Sequence, residues 1–373
     1  MPRITFPLSV LVIVLLGLLH AVPAQAQPIR VFVALTGNDA NPCTFASPCK
    51  SVQHAHDVVA AGGEVRMLDP GSYGLLTITK AISILGDGHG GIAAQSGNTA
   101  ITINAGPNDA VNLRGLVIEG FGTGANGITF NTGKSLVIEN CAVRNFGNDG
   151  LLFANSGTTS ATLSVSNSYF ADNATGIAVA SSSSGATTAS IDRVSLTGNS
   201  SDGLIVTGSS VAGTAVKVAV TDSVAGNNGT GFHAVPGTAS SVILVLTRST
   251  ASGNTTGVVG LALNAPGPTA FVLLAQSTVT ENSTGYLING AGVGGGISSP
   301  TSWARVESRS RSSHARSAME SAVRRRGGSS RVTMGRIESV ARAAARESKN
   351  ACVESARRVF PTWVEAGTTG AGW

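Results

Sequence analysis

Aromatic residues are scarce in this chain of 373 residues, at 11 Phe, 3 Tyr and 3 Trp. Tyr169 and Phe170 are a lone neighbouring pair in its central part. That is too little to build an aromatic platform for stacking sugar rings. Cysteine is scarce too, at four residues, and no further cysteine or histidine pair near Cys43 and Cys49 has metal-ligand spacing. A phosphate-cradling glycine loop is missing, and the spacing implies no Ser-His-Asp set. Between residues 114 and 293 no segment keeps apolar residues at a 3.6-residue period for ten positions, which excludes stacked helical repeats there.

What that region does contain is one phrase in repeated copies. ENCAVRN, NSYFADN, RVSLTGN, TDSVAGN, RSTASGN and QSTVTEN each end on an asparagine: Asn145, Asn173, Asn199, Asn227, Asn254 and Asn282. Their spacing is 28, 26, 28, 27 and 28 residues, and a glycine follows within five residues each time. RGLVIEG, residues 114–120, reads as a degenerate first copy with Gly120 in the asparagine's place. Between these turns lie short runs such as SLVIE, ATLSVS, AVKVAV and AFVLLA, rich in residues that favour strands. A coil of about 26 residues with three short strands is one rung of a parallel β-solenoid, with rungs about 4.8 Å apart. Asparagine tolerates the left-handed corner such a coil needs and can bond to its equivalent one rung away, while glycine supplies a second positive-φ position.

At this point the chain resembles the right-handed parallel β-helix, pectin-lyase-like superfamily, over roughly residues 30–293. The resemblance implies an all-β, right-handed parallel β-helix. It leaves activity open, because the architecture hosts lyases, hydrolases, adhesins and inert scaffolds. The opening, from VFVALTGND to ITKAISILG, is similar to the entry segment of secreted bacterial β-helix proteins. Gly88-His89-Gly90 resembles a short polygalacturonase motif, but that family's Asn-Thr-Asp, Asp-Asp and Arg-x-Lys elements are absent from the repeats.

Residues 1–26 carry Arg3, an apolar run from Leu8 to Leu19 and a small-residue site at Ala24-Gln25-Ala26, the pattern of a cleaved export signal. An uncleaved anchor is the alternative. Export to the periplasm, cell surface or medium favours a Cys43–Cys49 disulfide, and Cys141 reads as a free thiol in the stack. Residues 27–63 then hold a strand, the disulfide loop and a short amphipathic capping helix. Val52, Ala55, Val58 and Val59 form its apolar face, Gly62-Gly63 stops it, and His54 and His56 lie on its polar side. EVRML, LLTIT and AISIL read as the first rung of a β-helix over residues 64–296.

Stacking converts sequence positions into vertical files. The file before the asparagines places Arg144 between Glu119 and Asp172, the nearest approach to a lyase's arginine base beside carboxylates that hold calcium. A surface ion ladder is the competing reading. Six positions before the asparagines stand Arg114, Glu139, Asn167, Arg193, Thr221, Arg248 and Gln276. All but Thr221 are candidate substrate-binding residues for an extended acidic sugar chain, against a plain solvated face. A third file sets Asp149 and Asp202 two rungs apart, roughly 9 to 10 Å, near the upper limit for inverting glycoside hydrolysis. Each is also an ordinary turn residue.

From residue 301 the text changes to Arg, Ser, Ala and Glu. That tail holds 14 basic and six acidic residues, against 11 and 14 in residues 1–300. Residues 297–373 read as a basic tail, irregular or helical. The tail is either a segment for a polyanion or the product of a shifted reading frame, which rung-like text in another frame beyond codon 294 would reveal. The expectation is an exported, non-catalytic β-helix that binds or scaffolds a polysaccharide. The alternative is a polysaccharide lyase or glycoside hydrolase on the same fold. No cofactor, metal, nucleic-acid partner for the solenoid or membrane span after signal cleavage is expected, and the oligomeric state is not legible.

Overall fold

In the computed structural model the description covers residues 27–181, 184–211, 215–261, 270–289, 296–298 and 305–306. The expected export signal, and the tail beyond residue 306, lie outside the described residues. Each rung runs through three short strands joined by two corners and a longer return. A representative rung is Ala161–Ser166, Tyr169–Ala171 and Thr175–Ser181, followed by Thr187–Asp192, Ser195–Thr197 and Asp202–Thr207 in the next. Like strands pair in parallel from rung to rung and form sheets of eleven, ten and nine strands, here called I, II and III in rung order. The fold is an all-β parallel β-helix whose one helix among the described residues is Val52–Val58.

Alternation sets the core. In sheet I, Ile138, Val165, Ile191, Val220, Leu246 and Leu274 point inward, each at most 2% exposed. Burial of each such side chain contributes about 1.5–3 kcal/mol. Phe130 and Phe153 stack in the interior at 4.3 Å between centroids. The scarce aromatics therefore serve the core more than any outer wall.

The start of the solenoid is arranged differently from the sequence reading. Arg30–Val33 is the outermost strand of sheet I and pairs with Gly63–Met67. The sheet II strand of that first rung is the two-residue Gly71–Ser72, and Leu76–Ile78 lies in sheet III. Ile82–Leu85 opens the second rung in sheet I rather than closing the first. Ser51 caps the helix by accepting the His54 N–H at 3.2 Å. His56 was expected on the solvated side, yet it is 3% exposed. Its Nε2 accepts the Thr79 N–H at 3.2 Å, so Nδ1 carries the proton and donates to Asp57 at 2.8 Å. That ring ties the cap to the solenoid. The loop beside it is closed by the Cys43–Cys49 disulfide.

The asparagine file needs a correction. Its members are Asn173, Asn199, Asn228, Asn254 and Asn282, and each of the first four passes a hydrogen bond from its amide to the next Oδ1 at 2.9–3.2 Å. Asn227 and Asn145 are not in it. They stand one place earlier, at the left-handed corner with φ of 57° and 61°, in line with Asp172, Gly198, Gly253 and Glu281. Phe146 takes the ladder place in the rung of Asn145, its N–H donating to Asn173 Oδ1 at 3.0 Å. The corner and the ladder are two adjacent columns with separate duties.

The glycines that follow are also explained differently. Gly150, Gly176, Gly203, Gly231 and Gly257 do not have positive φ. A Cβ on Gly203 would sit 2.7 Å from the Gly231 carbonyl oxygen and 3.0 Å from the Asn228 amide nitrogen. The same collision recurs up the stack, so close approach of successive rungs demands glycine there.

Candidate functional site

The corner between sheets I and II gathers most of the candidate binding residues. Asn167, Arg193, Arg248 and Gln276 all have positive φ, together with Asn140 and Asp222. Asp222, and not Thr221, belongs to this column, because Thr221 is the last residue of its sheet I strand and pairs with Asp192 and Thr247. Arg114 and Glu139 stand apart, paired side by side as strand ends. The expected single row is therefore two columns.

Its arginines are engaged. Arg248 grips Asp222 with two bonds, of 2.7 and 2.8 Å. That hydrogen-bonded guanidinium holds the Asp222 carboxyl below its ordinary value. Arg193 reaches Asp192 at 2.6 Å and Asn167 at 2.8 Å. Arg114 is paired with Glu139. Arg30 and Arg66 bind Glu64 and Asp87. With Arg144, held by Glu119, all six arginines between residues 27 and 289 are matched with carboxylates.

Arg144 has one carboxylate neighbour where two were expected. Its Nε donates to Glu119 at 2.7 Å, and its partner in the following rung is Ala171. Asp172 has turned into the left-handed corner. The carboxylate pair that would hold calcium beside this arginine is not formed, and the residues there do not fit such an ion. Among the described residues, Cys43, Cys49 and His54 bring three potential ligand atoms within 4.8 Å, but the two sulfurs are bonded to each other.

Cys141 is buried and free, as expected. The column it shares with Tyr169 and Ser195 by sequence spacing is displaced by one place: Cys141 stands in line with Ser168, whose Oγ accepts the Cys141 N–H, and the backbone N–H groups of Val194 and Ser223 donate likewise to Ser223 and Ser249. Burial pushes its thiol up to about 11.

The third file forms as its spacing implied. Asp149 pairs with Thr175, and Asp202 with Thr230, at the start of sheet III strands. Burial raises the Asp149 carboxyl above its ordinary value, a hydrogen bond with Thr175 opposes this, and the charge of Asp202 adds to it. Asp202 is 7% exposed. It accepts from Ser201 Oγ at 3.0 Å and from His233 Nδ1 at 3.0 Å.

His233 was missed at the sequence level. In Thr230–Val235 it stands between inward Phe232 and inward Ala234. Period-2 alternation would have placed it on the outer wall, three residues from the threonine of the same file. Its Nε2 is buried without a hydrogen-bond partner. No distance along the sequence announces a pairing that runs diagonally between adjacent rungs.

No protein-family model matches the chain, and no curated protein does. Among solved structures, the crystal structure of pectate lyase Pel9A matches with a TM-score of 0.50 at 18% identity, over 74% of this chain and 78% of that one. Geobacillus virus E2 ORF18 gives a TM-score of 0.37 at 11% identity, over 80% and 66% of the two chains. The GH136 lacto-N-biosidase of Eubacterium ramulus gives 0.31 at 10%, over 68% and 57%. The first likeness establishes a shared parallel β-helix fold, and the other two carry no argument.

Proposed function

We propose that this protein is an exported β-helix that binds or scaffolds a polysaccharide without cleaving it, at the cell surface or in the periplasm. One observation carries the reading: every arginine between residues 27 and 289 is held by a carboxylate on its own wall. An arginine serving as a lyase's base must be free to take a proton from the sugar, and these are committed to ion pairs. What the walls offer instead is hydroxyl, amide and carboxylate groups at one-rung intervals, suited to hydrogen bonding along an extended chain. The Cys43–Cys49 disulfide and the sequence of residues 1–26 support export.

The test is a panel of immobilised polysaccharides probed with the full chain, scoring retention together with new unsaturated or reducing ends. Retention without new ends is the expected result. Release of unsaturated ends would make the protein a lyase, and release of reducing ends alone a hydrolase. No retention on any glycan sinks the polysaccharide reading.

A further inference from the structure

Among the described residues no rung precedes the first strand of each sheet, so the solenoid begins on open edges. One segment, residues 43–59, meets all three. On sheet I the disulfide loop lies along Arg30–Val33. The Phe32 N–H donates to the Cys43 carbonyl at 2.8 Å, and the Cys49 N–H donates back to the Phe32 carbonyl at 3.0 Å. Beside sheet II, the Val52 N–H donates to the Tyr73 carbonyl at 3.0 Å. On sheet III the outermost strand, Leu76–Ile78, is met by side chains of the helix. Gln53 accepts the Thr77 N–H at 2.7 Å and donates to the Thr77 carbonyl at 3.4 Å, and His56 Nε2 accepts the Thr79 N–H at 3.2 Å.

Of these contacts only the last depends on protonation. The imidazole is 3% exposed, its Nδ1 proton is committed to Asp57 and its Nε2 lone pair to Thr79. A second proton can go only to Nε2. It would point a donor at a donor, so that the Thr79 N–H loses its acceptor and a cation stands in a buried place. Release of the helix returns the ring and the edge to water and removes these penalties. The open form therefore takes up the proton more readily than the closed one. The contact holds at neutral pH and gives way as the pH falls through the range where imidazoles titrate, about pH 8 to 5.

The charges around the ring do not cancel this. Asp57, the carboxylate it bonds, has a side chain 60% exposed, so solvent screens its attraction for an imidazolium. Burial opposes ionisation of Asp57, but hydrogen bonds from His56 and Gln53 outweigh it and hold the carboxyl below its ordinary value. Lys80 donates to the Val59 carbonyl, and its charge also acts on Asp57. His54 interacts with Asp39. On the segments packed against the helix, Arg30 pairs with Glu64, Arg66 with Asp87, and Tyr73 with Asp69.

We propose that His56 is a pH-sensitive catch: neutral, it fastens the helix Val52–Val58 to the open edge of sheet III, and its protonation frees that edge. The inference is independent of the polysaccharide reading.

The experiment measures hydrogen exchange of the full chain at single amides, as protection factors at about pH 7.5 and about pH 5. Residues 187–192, in mid-stack, are the reference. The expected result is protection of Thr77 and Thr79 about tenfold lower at the acid pH, with the reference unchanged. His56→Gln keeps an oxygen able to accept the Thr79 N–H and does not titrate, so protection should be the same at both pH values. Asp57→Asn keeps an acceptor for Nδ1 and removes the counter-charge, so the acid loss should deepen several-fold. Circular dichroism accompanies each variant.

Asp57→Asn keeps the inference testable if His56→Gln does not fold. Equal protection at both pH values in the natural chain would overturn the inference. So would an acid loss that survives His56→Gln or is unchanged by Asp57→Asn. A loss that reaches residues 187–192 to the same extent would mean unfolding of the whole stack, and would overturn it too.

Discussion

At Asn227 and Asn228 two identical side chains stand side by side, one a corner residue and the other a member of the interior ladder. Asn228 Oδ1 receives both the backbone N–H and the side-chain amide of Asn199, at 3.0 and 2.9 Å. Removing it leaves those donors buried and unpaired, so Asn228→Ala should lower stability by about 2–3 kcal/mol. Asn227 sits at φ 57°, where glycine is at ease, so Asn227→Gly should change stability by less than about 1 kcal/mol. Urea unfolding of the two variants checks this. Equal losses would mean that the ladder does not run through position 228. Sequence spacing could not separate the two residues, because an interval of 28 or 29 residues is equally acceptable and only hydrogen bonding selects one.

The strands of sheet III begin where the chain turns in against the ladder, and there the element depends on having no side chain. A Cβ on Gly203 would collide with the carbonyl oxygen of Gly231 in the following rung. Gly203→Ala should therefore cost about 1–3 kcal/mol as an overpacked contact, even though alanine normally suits a strand no worse than glycine. The thermal unfolding midpoint reads this directly. An unchanged midpoint would mean that adjacent rungs separate freely at that point. The recurrence of glycine was plain in the sequence. Its reason was not, since a turn requirement and a packing requirement leave the same letter, and the backbone geometry favours packing.

Seen as one molecule, the solenoid is a stack in which each rung is stabilised mainly by its two neighbours. Its beginning is covered by the helix Val52–Val58, which buries Val52, Ala55 and His56. Near its other end, Tyr286 occupies an inward position opposite Val258, yet is 51% exposed. Among the described residues, Thr284–Asn289 is the last strand of sheet III. Opening should then start at this end, with amides of residues 284–289 exchanging at least tenfold faster than those of residues 202–207 in mid-stack. Hydrogen exchange resolved by peptide measures the difference. Uniform protection along sheet III would show that the rungs open as one unit.

Read alone, the sequence determined the class of fold and the rung length, because both follow from a period and from alternation along one strand. It determined the disulfide pair because two neighbouring cysteines follow an export signal. Of the files of residues it aligned some correctly and displaced others by one place. Asp149, Thr175 and Asp202 fell into line. Tertiary structure alone decided where a file bends by one residue, that Arg144 meets Glu119 and Ala171 rather than Asp172, and that His233 reaches Asp202. Those outcomes depend on the corner conformation and on the diagonal between neighbouring strands. A repeat length specifies which rung lies above which, but a shift of one residue at a corner costs the chain only a few bond rotations and re-aims every side chain beyond it.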